Sequence, residues 1–229
     1  MKYQELEQKI NIKFTNRKLL ENVFIHKSYL NEISNNDLED NERLEFLGDA
    51  VLELVVTEFL YLNYKNAEGE LTNWRSALVK GEHLAKVANE LQLGKYLFLS
   101  RGEENSGGRK KNYLLANTLE AFIGAIYLDK KYEVAKEFIN QFIIKYLEEI
   151  IEQKKHIDAK SLFQEMAQEK LAITPEYRLE SEEGPDHSKI FTMGAYLGDE
   201  LISTGEGPSK QKAEVQAADR ALEKKGWHI

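Results

Sequence analysis

All three prolines of this chain stand at positions 175, 185 and 208, so the first 174 residues contain none. A proline inside a helix removes a backbone hydrogen bond and clashes with the preceding turn, so a proline-free stretch is free to form long helices. The apolar spacing supports this. Between residues 41 and 64 a stripe runs through Leu44, Leu47, Val51, Leu54 and Val55, mostly at steps of three and four, which predicts an amphipathic helix with these side chains inward. Residues 113–128, YLLANTLEAFIGAIYL, are apolar nearly all round and predict a second, buried helix. A third, over about 132–153, carries Val134, Phe138, Phe142, Ile143, Tyr146 and Ile150. Polar loops separate them. Residues 31–41, NEISNNDLEDN, are acidic. Residues 101–112, RGEENSGGRKKN, set Gly107-Gly108 before Arg109, Lys110 and Lys111, which fits either a solvated surface loop or a flexible loop contacting phosphates.

The pattern changes near residues 153–158, QKKHID. A helix over 158–170 is expected, with Asp158 as its N-cap. Strand candidates follow at about 175–182, 189–197 and 200–205, separated by Gly-Pro-Asp-His and by Gly198-Asp199. A last helix is expected from Lys210 to Lys225, stopped by Gly226. The expected architecture is an all-α domain over 1–153, followed by a small α+β domain (α-β-β-β-α) over 158–229, with both helices on one face of a meander.

Composition narrows the function classes. No cysteine is present, which excludes a disulfide scaffold, a thiolate metal site and a cysteine nucleophile, and fits a reducing compartment such as the cytoplasm. No apolar run approaches the ~18 residues of a membrane span, and the first ten residues lack the apolar core of a secretory signal. The net charge is −8, with 9 basic against 14 acidic side chains in residues 158–229. A protein that coats nucleic acid non-specifically needs a basic face, so any nucleic-acid contact here must come from local basic clusters.

The strongest chemical signal lies in NERLEFLGDA, residues 41–50. Glu42, Glu45 and Asp49 share one helix face, and Glu53 extends it. Like charges so placed repel, and a bound cation would offset the repulsion. A solvated acidic face is the other reading of the same spacing. A second pair points toward the cation: Asn117 and Glu120 sit one turn apart on an otherwise apolar helix, where buried polar groups need partners. Oxygen ligands from two helices suit Mg²⁺ or Mn²⁺, and the cluster has no Cys or His to favour zinc.

The stretch NERLEFLGDAVL resembles the signature of bacterial ribonuclease III, and the resemblance runs almost end to end. FIHKSYLNE at 24–32, EGELTNWRSALV at 68–79 and ENSGGRKKNYLLANTLEAFIGAIYLD at 104–129 follow that family's order. The resemblance implies a helical nuclease domain that cuts double-stranded RNA with divalent metal, leaving 5′-phosphate and 3′-hydroxyl ends. It implies a metal site of Glu45, Asp49, Asn117 and Glu120, with Glu42 as a further catalytic acid and Glu68 as an acidic position near the scissile strand. One metal would activate water, and the metals together would stabilise the attacking and leaving oxygens. The resemblance also implies a homodimer, with Phe46 at its interface, and processing of ribosomal RNA precursors and messages in the cytoplasm. One departure stands out: the family usually has Asp where this chain has Asn117. The neutral amide weakens the site, so a catalytically weakened double-stranded RNA-binding protein is the alternative reading.

Residues 158–229 resemble a double-stranded RNA-binding domain. The resemblance implies that Gln164 and Glu165 enter one minor groove and that His187, in the GPDH loop, reaches a second. Lys210 and Lys212, at the start of GPSKQKAEVQAA, would hold phosphates across the major groove between them. Gln211 stands where the family usually has a second adjacent basic residue. Arg109 is a further candidate RNA contact.

Overall fold

The structure is a computed structural model that describes residues 3–33, 38–152, 159–185 and 188–227. The chain divides into two compact units, Met1–His156 and Ile157–Ile229. The expected Asp158 cap, His187 and part of the acidic loop at 31–41 lie outside the described residues.

The first unit is helical. Short helices α1 (Gln4–Ile10), α2 (Arg17–Asn22) and α3 (Lys27–Leu30) precede α4 (Glu42–Asn63), α5 (Glu68–Val79) and α6 (Gly81–Glu90). The short α7 (Arg101–Asn105), the long α8 (Asn112–Phe142) and α9 (Leu147–Glu152) complete it. Helix α8 is broken at Lys131, whose backbone is left-handed at φ 72°, close to where the apolar pattern separates a second helix from a third. The expected third helix does not run on to 153. Phe142, Ile143 and Ile144 are all buried, and three successive side chains cannot share one α-helical face. The chain therefore tightens into a 3₁₀ turn at Ile144–Tyr146 before α9 begins.

Helix α4 corrects one inward assignment. Leu44, Val51 and Val55 are buried and Leu47 packs at the edge of the core, but Leu54 is 57% exposed. At 100° per residue Leu54 turns away from its neighbour Val55. It joins Phe46 (80% exposed) and Tyr61 (74% exposed) on an outward apolar stripe. Phe46 is thus not a core side chain. The outward face of α4 carries enough exposed apolar surface to require an explanation beyond scattered surface residues.

Helices α4 and α8 form the main contact of this unit, and they meet where neither has a side chain. A Cβ on Gly48 would lie 1.7 Å from the carbonyl oxygen of Glu120, and one on Gly124 would lie 2.3 Å from that of Leu44. The glycines let the two backbones touch. Around this crossing Leu52, Val56, Leu115, Leu119, Phe122 and Ile126 are fully or almost fully buried. Each such side chain stabilises the fold by ~1.5–3 kcal/mol.

The second unit begins with α10 (Ala159–Leu171), followed by an antiparallel meander of β1 (Glu176–Glu183), β2 (Ile190–Leu197) and β3 (Glu200–Gly207) in the order β1-β2-β3. Tyr177 pairs with Ala195, and Ala195 with Ser203. Gly198 turns β2 into β3 at φ 63°. The last helix, α11 (Lys210–Lys225), closes on Gly226 in the left-handed conformation, as its sequence predicts. Phe163 and Ala167 of α10 share one core with Ala195, Leu197 and Ile202 of the sheet and with Ala217, Ala221 and Leu222 of α11.

The helix crossing yields a sharp expectation. Gly48→Ala must push α8 away from α4, so it should destabilise the protein by about 3 kcal/mol or more, the upper end of ordinary overpacking. Thermal and denaturant melts of the variant measure this, and a melting temperature equal to the parent's would contradict it.

Candidate active site and RNA-binding surface

The contact of α4 with α8 brings Glu45 and Asp49 against Asn117 and Glu120. Two of the carboxyls, Glu120 and Glu45, are raised in these surroundings. The Glu120 carboxyl is pushed up to about 7, first by burial and then by the negative charges of Asp49 and Glu45. Glu45 is also raised, with burial the largest cause. A hydrogen bond with the Asn117 side chain works in the other direction, Glu42 and Asp49 add to the rise, and Lys27 opposes it. A carboxylate can only accept, so the Asn117 amide NH₂ is the donor. Asn117 thus favours the charged form of Glu45, where an aspartate would have repelled it.

A cleft of about 130 Å³ opens at this place, lined by His26, Lys27, Glu42, Glu45, Tyr113 and Asn117 among others. Glu42 faces the cleft and pairs with Lys27 at 2.6 Å. Among the described residues, no three His, Cys, Asp or Glu side chains form a closed metal-ligating group. The donor set fits a hard divalent ion, since it consists of carboxylates from two helices, one of them half-buried and short of countercharge, plus an amide oxygen.

Two expected members fall elsewhere. Glu53 pairs with Arg75 at 3.2 Å, which ties α4 to α5 instead of extending the cluster. Glu68, at the start of α5, lines a separate cavity with Leu60 and Tyr61. Residues 45 and 61 are separated by roughly 24 Å of helix at 1.5 Å per residue, so Glu68 is far from Glu45 within one chain.

The loop at 101–112 is folded. Arg109 donates to Glu104 at 2.6 Å and to the carbonyl of Gly94 at 2.9 Å, and Lys111 bonds Glu103 and Ser106. An RNA contact by Arg109 requires those bonds to open. In the second unit Gln164 and Glu165 are exposed on α10. Lys210 and Lys212 are exposed in the first turn of α11, where Ser209 caps the helix by accepting from the Lys212 amide. Lys27 and Asn41 did not stand out in the sequence. Asn41 is buried and donates to the Val23 carbonyl at 2.9 Å, which pins the start of α4 to the segment carrying Lys27. The only sequence signal for either is its place inside a family motif, because the partners lie 15 to 18 residues apart.

These features define a class: a helical unit with a carboxylate cluster across two helices, joined in one chain to an α-β-β-β-α unit with a basic helix start. Residues 16–147 match the Ribonuclease-III-like family model, and residues 159–225 match the double-stranded RNA binding motif. Ribonuclease 3 of Borreliella afzelii is 44% identical over 95% of this chain and 89% of its own length. Ribonuclease 3 of Enterococcus faecalis is 46% identical over 95% of both chains. The solved nuclease domain of ribonuclease III from Campylobacter jejuni covers 62% of this chain and 96% of its own, at 44% identity and a TM-score of 0.58. The chain belongs to the ribonuclease III family of double-strand-specific endoribonucleases.

The raised Glu120 group sets a pH dependence. An acid whose folded pKa lies near 7, against an ordinary 4.5, binds more protons in the native state between those values. Stability without metal therefore falls as pH rises from 4.5 towards 7, and the penalty is complete above 7. Allowing for solvent screening, the penalty is on the order of 1–2 kcal/mol. Metal-free Glu120→Gln should melt above the parent at pH 8 and close to it at pH 4.5. Mg²⁺ should raise the parent's melting temperature but not the variant's. Equal melting curves at pH 8 would show that Glu120 carries no such penalty.

Proposed function

We propose that this chain hydrolyses the strands of double-stranded RNA with Mg²⁺, or Mn²⁺ in its place, held by Glu45, Asp49, Asn117 and Glu120, leaving 5′-phosphate and 3′-hydroxyl ends. The observation that carries this reading is the half-buried Glu120 carboxyl facing Asp49 and Glu45 across the α4–α8 crossing. Divalent ions bound there supply an activated water and balance charge on the attacking and leaving oxygens. Glu42 lies at the mouth of the same cleft and acts beside them. Ribosomal RNA precursors and structured messages, in the cytoplasm, are the proposed substrates.

In the second unit Gln164 and Glu165 approach one minor groove, and His187 a second. Lys210 and Lys212, helped by the N-terminus of α11, hold the phosphates between. Such contacts read A-form shape with little direct base readout.

Two copies pair through the outward stripe of α4, with Phe46 at its centre. The exposure of Phe46, Leu54 and Tyr61 supports this. Glu68 is out of reach of its own chain's cluster, so its part in the reaction rests on this pairing. Light scattering should give twice the 26.5 kDa chain mass at micromolar concentration, and Phe46→Glu should shift the protein to the monomer. A parent that scatters as a monomer removes the proposal.

A second reading, a double-stranded RNA binder with weak or no cutting, is favoured by the interaction of the Asn117 side chain with Glu45, which favours the charged form of Glu45 without metal. One assay separates the two. With long double-stranded RNA and Mg²⁺ the parent should cut, and EDTA should stop it. Asn117→Asp restores an anionic ligand, so half-maximal cutting should need about tenfold less Mg²⁺, a gain of ~1.4 kcal/mol. If Asn117→Asp lowers stability, gains no activity and is not stabilised by metal, Asn117 is a satisfied amide outside the metal site.

A further inference from the structure

The cleft beside the carboxylate cluster has two acids, Glu42 and Glu45, in its lining, and among its described lining residues Lys27 is the one ammonium. Its chain neighbour His26 is held towards the neutral form, chiefly by burial. An RNA strand that brings phosphates to Glu42, Glu45, Asp49 and Glu120 meets four carboxylates of its own sign. A cation at the rim of that cleft can receive a phosphate without repulsion, beside any divalent ion held among the carboxylates.

The backbone under Lys27 is more rigidly fixed than a surface side chain needs. Phe98 donates to the Phe24 carbonyl at 2.8 Å, and His26 donates back to the Phe98 carbonyl at 3.2 Å. The Asn41 amide donates to the Ile25 carbonyl at 2.9 Å. The hydroxyl of Ser28 accepts from the Ser100 amide at 3.1 Å and meets the His26 ring at 2.8 Å. Residues on both sides of Lys27 are thus bonded to two other segments, one of which opens α4. The side chain itself remains more than half exposed and, among the described residues, is paired with Glu42 at 2.6 Å. A fixed base with an exposed, singly paired head is the arrangement expected of a group that changes partner.

We propose that Lys27 is a substrate-positioning residue: its ammonium rests on Glu42 in the free protein and moves to a phosphate of the strand being cut when RNA enters the cleft. The move seats the strand and releases the Glu42 carboxylate on the side that faces Glu45. This rests on the cleft being the cutting site. The competing role is a plain countercharge for Glu42, and the two roles predict opposite things. A countercharge, once removed, leaves KM for RNA unchanged and tightens metal. A positioning cation, once removed, weakens RNA and removes one phosphate contact from the salt dependence.

The experiment uses the full chain, a defined RNA duplex and saturating Mg²⁺, with Lys27→Met and Lys27→Arg beside the parent. Duplex binding in Ca²⁺ is measured over a salt series. For Lys27→Met we expect KM to rise about tenfold with kcat changed less than threefold, and the log–log salt slope of binding to fall by about one. Lys27→Arg should recover most of both. Unchanged KM and salt slope in Lys27→Met, or a loss confined to kcat, overturns the proposal. A parent that binds but does not cut overturns the cutting-site reading alone, because the salt slope still reports whether Lys27 meets a phosphate.

Discussion

The side-chain-free crossing of α4 over α8 is the constraint on which the nuclease unit depends. Gly48 and Gly124 bring two backbones into contact, and everything that follows chemically needs that distance. Were the helices at ordinary spacing, Glu45 and Asp49 would face Asn117 and Glu120 across a layer of side chains. The same contact excludes water around Glu120 and so raises its carboxyl. Close packing and charge crowding are two consequences of one pair of missing Cβ atoms, and the fold carries the crowding because the surrounding core is apolar and dense.

Without metal the protein accommodates its four carboxylates in four different ways. Glu120 is held towards the protonated form by burial and like charge. Glu45 takes a hydrogen bond from Asn117. Glu42 is paired with Lys27. Asp49 is left to solvent. Each solution is local and modest, and a divalent ion would displace several of them together. Asn117 shifts this balance, since its amide gives the metal-free state a bond that an aspartate could not offer.

The RNA-binding unit carries a negative net charge and confines its basic groups to short stretches. Strand β1 is an edge of the sheet and bears Glu176, Glu180, Glu182 and Glu183. Charged edge strands resist pairing with a second sheet, and here they also repel phosphates from that side. The start of α11, with Lys210, Lys212 and free backbone amides, is left as a favourable place for an anion. Distribution, more than total charge, orients such a domain on a duplex.

Much of this was readable in one dimension. Helical and strand periods, the Gly198 and Gly226 punctuation and the spacing of Glu42, Glu45 and Asp49 are local properties, because backbone geometry repeats every 3.6 or two residues whatever else the chain does. The motif order sufficed to indicate the family. What the chain alone left open were matters of distance between segments. Leu54 was read as inward on spacing, and only the packing of α4 turned it outward beside Phe46. Glu53 belongs to the acidic stripe on paper, yet Arg75 from the next helix claims it. The loop at 101–112 looks mobile in composition, but Gly94 and Glu104 fasten Arg109. Lys27 and Glu42 stand 15 residues apart, and no periodicity links them. The sequence by itself determined the elements, the family and the acids of the candidate site. The tertiary structure alone decided which groups touch, because burial, ion pairing and pKa depend on neighbours that folding brings from elsewhere in the chain.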